Sequence, residues 1–191
     1  MRHNALRDTE AKLLQEVCKD VRVEPGLLPV EGEQKTGNIA EMARLDVSAR
    51  GLWSEYQKTY MDVRITHPTA ESHMRKTLDQ LYREKELEKK RDYSNRVIHT
   101  EKGTFTPLVF TTTGGMGPEC TRMNKRIAEL ISIRRGEVYS HVMRHIRTRL
   151  RFALLRCTLI AVRGTRGSFR DQKEKDLGDI SFNLIPQASV D

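Results

Sequence analysis

Cysteine is scarce: Cys18, Cys120 and Cys157 are an odd number with no Cys-x-x-Cys pair, in a chain of 191 residues. That excludes a disulfide framework and a cysteine zinc site, and points to a reducing, intracellular setting. Long apolar runs are missing as well, the longest falling far short of a membrane span. The start, Met1-Arg2-His3-Asn4, has no apolar signal core. A soluble chain, or a soluble piece of one, with no membrane role is expected. Hydrophobic residues make up 37% and charged residues 31%, so the core should be modest, though large enough for one domain. There is no internal repeat and no low-complexity tract.

What is present in excess is positive charge, and it is concentrated. The net charge is +8; residues 1–118 contribute +1, residues 119–165 contribute +8 and residues 166–191 contribute −1. A field of this kind suits a polyanion such as a phosphate backbone, against the simpler reading of a solvated basic helix face. Arg144, Arg147 and Arg151 are spaced to form one stripe on a helix, a track for phosphates that would hold register without reading sequence.

Periodicity predicts an α/β order. A helix is expected over residues 5–20, with Leu6, Leu13, Leu14 and Val17 on one face. A short strand at 21–23 is followed by the breaker Glu24-Pro25-Gly26, and a loop over 30–39. Strands at 43–47 and 60–65 form an extended hairpin with an irregular tip. A long charged helix over 74–98, a strand over 105–112 and helices over 120–134 and 138–162 complete the order. The organisation expected is an α/β core over 1–118, a basic helical extension packed on it over 119–165, and a disordered tail over 166–191.

Asp46 and Asp62 fall in the hairpin strands. A carboxylate in an apolar strand costs several kcal/mol unless something cationic meets it. Two readings follow: strand-end salt bridges to Arg44, Arg50 or Arg64, or a shared divalent cation. Hard oxygen ligands suit Mg²⁺ or Mn²⁺, which favours phosphodiester hydrolysis.

Arg2-His3-Asn4 ahead of a helix, Glu24-Pro25, Arg44-Leu45-Asp46, Asp62-Val63-Arg64, the stretch from Lys89 to Tyr93, Phe105-Thr106-Pro107-Leu108-Val109 and the Gly114-Gly115 turn carry a resemblance. Over roughly residues 2–165 the chain resembles the restriction-like endonuclease domain of non-LTR retrotransposons, a branch of the PD-D/E-x-K nucleases. The resemblance implies a restriction-endonuclease-like core of helix, hairpin strands, helix and strand. It implies a Mg²⁺- or Mn²⁺-dependent nuclease that nicks target DNA for integration, in an intracellular, nuclear location. It makes Asp46 and Asp62 the metal-binding acids and Glu24, of its Glu-Pro, a candidate third; Glu16 on the first helix is a further candidate. Lys89 would orient or deprotonate the attacking water, or steady charge on the phosphate, and Tyr93 would assist. Arg64 would contact nucleic acid. Partners implied are DNA, RNA of the element, and a reverse transcriptase domain in the same longer polyprotein, whose own motifs and zinc knuckle are absent here.

Leu45 stands where the family usually has proline, and Arg64 where the wider superfamily has lysine. Arginine stays protonated and cannot act as a base, so Lys89 supplies that function or the site is inactive. The competing readings are a binding remnant that no longer cuts, and a structural domain facing an acidic protein partner. Lys89 also lies in a run from Lys85 to Arg91 that could simply solvate a helix. His141 and His145 share an i, i+4 spacing but lack a third zinc ligand. The Gly114-Gly115-Met116-Gly117 turn lacks the Lys-Ser/Thr of a P-loop and offers at most spare backbone N–H groups to a phosphate. Trp53 and Phe110 are expected in the core.

Overall fold

A computed structural model describes residues 2–28 and 44–163. The loop expected over 30–39, Ala43 and the tail over 166–191 lie outside the described residues. Among the described residues the chain is α/β, with α1 (Arg2–Gln15), β1 (Lys19–Val23), β2 (Val47–Arg50), β3 (Lys58–Thr66), α2 (Leu78–His99), β4 (Thr104–Thr111), α3 (Pro118–Arg135) and α4 (Tyr139–Arg163) in sequence. The four-stranded sheet has the order β1-β2-β3-β4; β1, β2 and β3 pair antiparallel, and β3 pairs parallel with β4. A parallel pair needs a crossover, and α2 provides it.

The two sheet faces are covered unequally. One carries the larger core, where Leu6, Leu13 and Leu14 of α1 meet Met61 and Val63 of β3, Leu108 and Phe110 of β4, and apolar residues of α3 and α4. The helices of the basic segment thus share that core with α1 and the sheet. The other face carries a smaller cluster of Leu27, Leu45, Tyr60 and Val97, flanked by Tyr93 and Phe105. Alternation along β3 divides it cleanly: Met61 and Val63 point to the large core, so Tyr60, Asp62 and Arg64 point to the α2 side. Pro107 sits opposite Asp62 in β4, an edge strand, which is where a strand tolerates proline.

Several boundaries differ from the sequence expectation for local reasons. Helix α1 ends at Gln15 rather than 20, because Lys19–Val23 leave to pair with β2, while Val17 still packs on the core and prolongs the apolar spacing. The first hairpin strand starts at Val47 rather than 43: Leu45 turns into the smaller cluster. Helix α2 starts at Leu78 rather than 74, where Thr77 and Gln80 form a capping box. Phe110 is fully buried; Trp53 is half-buried with the Arg122 guanidinium 4.9 Å over its ring.

The glycine-rich turn is a packing device. A Cβ at Gly115 would fall 2.2 Å from Tyr82 Oη, and one at Gly117 would fall 2.6 Å from Glu86 Oε1. Its donors are not spare: Gly114 N–H donates to Thr111 O, Gly115 N–H to Thr111 Oγ1 and Gly117 N–H to Val109 O. The buried Glu86 carboxylate accepts from Glu119 N–H at 2.9 Å, holding the start of α3 from α2. The phosphate-touching role considered for this turn is therefore corrected.

Candidate functional site

Asp46 stands at the entrance of β2, locked by its own backbone. Its N–H donates to Met61 O at 3.1 Å, and its carbonyl accepts from Glu24 N–H at 2.9 Å. Its Oδ2 accepts from Val63 N–H at 2.6 Å and lies 3.0 Å from His3 Nε2, which also lies 3.1 Å from Val63 O. Both of those partners are acceptors, so His3 Nε2 carries the hydrogen. His3 opens α1, and this pins the N-terminal end of that helix over the acid pair.

Asp62 is buried on β3, with Lys89 Nζ of α2 at 2.7 Å from its Oδ2. The contact is a short ion pair to a buried oxygen. Burial pushes the Asp62 carboxyl up, Lys89 pulls it down, and the charge of Asp46 adds a smaller upward push. The Lys89 ammonium also lies 5.4 Å from the centre of the Tyr93 ring. Tyr93 packs against Phe105, and burial, then the nearby Asp62, raise its phenol. Asp46, Asp62, Lys89 and Tyr93, from three elements far apart in sequence, thus meet in one place.

The expected third acids do not join them. Glu24 lies next to Asp46 through its backbone, but its carboxylate is taken by Arg7, with Arg44 at 3.9 Å. Glu16 pairs with Arg135 at 2.6 Å and Arg149 at 3.5 Å. It sits at the opposite end of α1 from His3, about 20 Å away at the helical rise of ~1.5 Å per residue. Among the described residues no group of three or more His, Cys, Asp or Glu side chains is placed to hold a metal ion. The arginines expected as salt-bridge partners turn elsewhere, Arg44 to Glu24, Arg50 to Asp20 at 3.0 Å and Arg64 to Glu88 at 3.8 Å; the cationic partner of Asp62 is Lys89.

Asp62 and Lys89 open into a cleft of about 520 Å³, whose wall also includes His3, Arg64, Lys85 and His73. Sequence reading singled out Arg64 but passed over Lys85 and the histidines. His3 was visible only as part of Arg2-His3-Asn4. Arg144, Arg147 and Arg151 are exposed on α4, as are His141 and His145. No helix among the described residues is long and apolar enough to cross a membrane.

No family model matches the chain, and no curated protein matches it.

Proposed function

We propose that this chain is a restriction-like endonuclease domain of the non-LTR retrotransposon type, which nicks DNA with Mg²⁺ or Mn²⁺. The observation that carries the reading is the convergence of Asp46, Asp62 and Lys89, of which Asp62 and Lys89 line a basic cleft. The order of helix, three antiparallel strands, helix and parallel strand supports it, being that of a restriction-endonuclease-like core.

The residues present fit a hard divalent cation. Asp46 and Asp62 are neighbouring carboxylates with hard oxygen donors, and burial together with the Asp46 charge pushes the Asp62 carboxyl up, which a bound cation would offset. Mg²⁺ is commonly held by one or two carboxylates with waters completing its shell. Asp46 and Asp62 would hold the metal, which when bound supplies Lewis-acid stabilisation of phosphate charge and an activated water. Lys89, steered by Asp62 and the Tyr93 ring, orients the attacking water or stabilises charge developing on the phosphate. His3 and Val63 N–H fix the Asp46 carboxylate. The Arg144, Arg147 and Arg151 stripe tracks the phosphate backbone. In this reading the domain works beside a reverse transcriptase of the same polyprotein, on DNA and the element's RNA, in the nucleus.

The test is incubation of supercoiled plasmid with Mg²⁺ or Mn²⁺, comparing the wild type with Asp46→Ala and Asp62→Ala. Open circles are expected from the wild type alone. A second reading, a DNA-binding remnant that no longer cuts, is favoured by one observation: neither Glu24 nor Glu16 reaches the acid pair. Persistent DNA binding without nicking in either metal would establish it.

A further inference from the structure

We propose that the outer half of the Asp62 cleft is a second phosphate subsite, built from Arg64, Lys85 and His73, which takes the phosphate adjacent to the one at the acid pair. This rests on the reading of Asp46 and Asp62 as the place of a phosphodiester. It adds a statement about the substrate: the strand is gripped at two successive phosphates.

Asp62 and Arg64 lie on the same sheet face, two residues apart, an advance of about 6.6 Å along a strand, which one nucleotide spans. Beyond Arg64 the wall continues to His73, and Lys85 closes it from α2. His73 is set for the task by its neighbours. Its Nδ1 lies 2.9 Å from His67 O, and a carbonyl only accepts, so Nδ1 carries the hydrogen and Nε2 is the basic nitrogen. His67 is itself tied on both ring nitrogens, to Thr112 Oγ1 at 2.7 Å and Thr69 Oγ1 at 3.0 Å, so the carbonyl that orients His73 is anchored.

The charge balance points the same way. Three cations, Arg64, Lys85 and Lys89, line the cleft against one acid, Asp62. Lys89 is committed to Asp62. Arg64 meets Glu88 at 3.8 Å, and Lys85 meets Glu88 at 2.8 Å and Glu84 at 3.6 Å; neither glutamate lines the cleft, and the shorter contact of Glu84 is with Lys76. The Arg64 contact is too long for a charge-assisted hydrogen bond. A phosphate entering the cleft offers oxygens to Arg64, Lys85 and His73 together.

The test compares binding of the dinucleotides TpT and pTpT, the second carrying one more phosphate, to the full chain by calorimetry at low salt. The His73 ring resonance is followed by NMR. The proposal expects pTpT to bind at least tenfold more tightly, and to move the His73 resonance where TpT does not. Arg64→Gln/Lys85→Gln should abolish the gap, and Glu88→Gln should widen it. Equal affinity for the two dinucleotides, binding of neither, or an undiminished gap in the Arg64/Lys85 variant would overturn the proposal. An intact gap in a chain that nicks no plasmid would overturn the nuclease reading alone.

Discussion

Asp62 and Glu10 are both buried carboxylates, on opposite sides of the sheet, and they are handled in opposite ways. Glu10 is sealed in the large core: it is 0% exposed, its Oε1 accepts from Asn124 Nδ2 at 3.0 Å, and its Oε2 has no partner among the described residues. No cation meets it. Burial raises its carboxyl to about 7, the Asn124 hydrogen bond offsetting only part of the effect. The neighbouring Cys120 thiol is pushed up as well, by burial and then by Glu10. Asp62 is nearly as buried, yet it has an ammonium at 2.7 Å, a second carboxylate nearby and a cleft in front of it. Burial alone therefore does not mark a site. A counter-charge and an open approach do, and only Asp62 has both.

The largest expected effect that would break this contrast is on nicking. Asp62→Asn should lower plasmid nicking by about 10³-fold or more, while Glu10→Gln should leave it within about threefold; similar losses in both would erase the distinction. Lys89→Met comes next. It should cost about 10²- to 10⁴-fold in rate, the range for a positioned proton-transfer group, with DNA affinity kept in a filter-binding assay.

Glu10 sharpens the comparison through stability. Its folded value of about 7 lies above the ordinary 4.5. On rising pH the unfolded chain therefore loses the proton first. The stability tied to the neutral acid is full below about pH 4.5 and is lost as pH rises to about 7, a difference of about 3 kcal/mol. Denaturant titrations should show wild-type stability falling over that window, and Glu10→Gln should flatten the fall and raise stability at pH 8. An unchanged slope in the variant would show that Glu10 is not the group responsible. The smallest effect is on the basic stripe: Arg144→Gln/Arg147→Gln/Arg151→Gln should reduce the slope of log affinity against log salt by about 3, with thermal stability unchanged.

The element order was legible because each signal was strong locally: apolar spacing in α1 and α4, β-branched and aromatic runs in β3 and β4, proline and glycine between them. The acid pair was legible for a related reason, since carboxylates in otherwise apolar runs are costly without a partner. What the residues alone did not reveal was which cation would supply it. Arg44, Arg50 and Arg64 were the near neighbours in sequence, but they turn to Glu24, Asp20 and Glu88. Lys89 was singled out through a family motif. Its position depends on the rotation of α2, which is set by burial of only Leu81, Tyr82, Glu86 and Val97. In a helix so highly charged, nothing local separates Lys89 from Lys90, which pairs instead with Glu119 at 2.6 Å. Glu16 was misplaced because it lies just past the end of α1 opposite His3. Glu10 went unnoticed although it lies one turn from Leu6 and Leu14 on their buried face, a signal that spacing could have given.

On the proposed reading Asp62, and not merely a buried carboxylate, makes this a cutting site. The direct measurement is nicking of supercoiled plasmid in Mn²⁺ by wild type, Asp62→Asn and Glu10→Gln side by side, each verified as folded by its thermal melt. Open circles from the wild type and Glu10→Gln, with none from Asp62→Asn, are the predicted result. No nicking by the folded wild type, or equal nicking by Asp62→Asn, would contradict it.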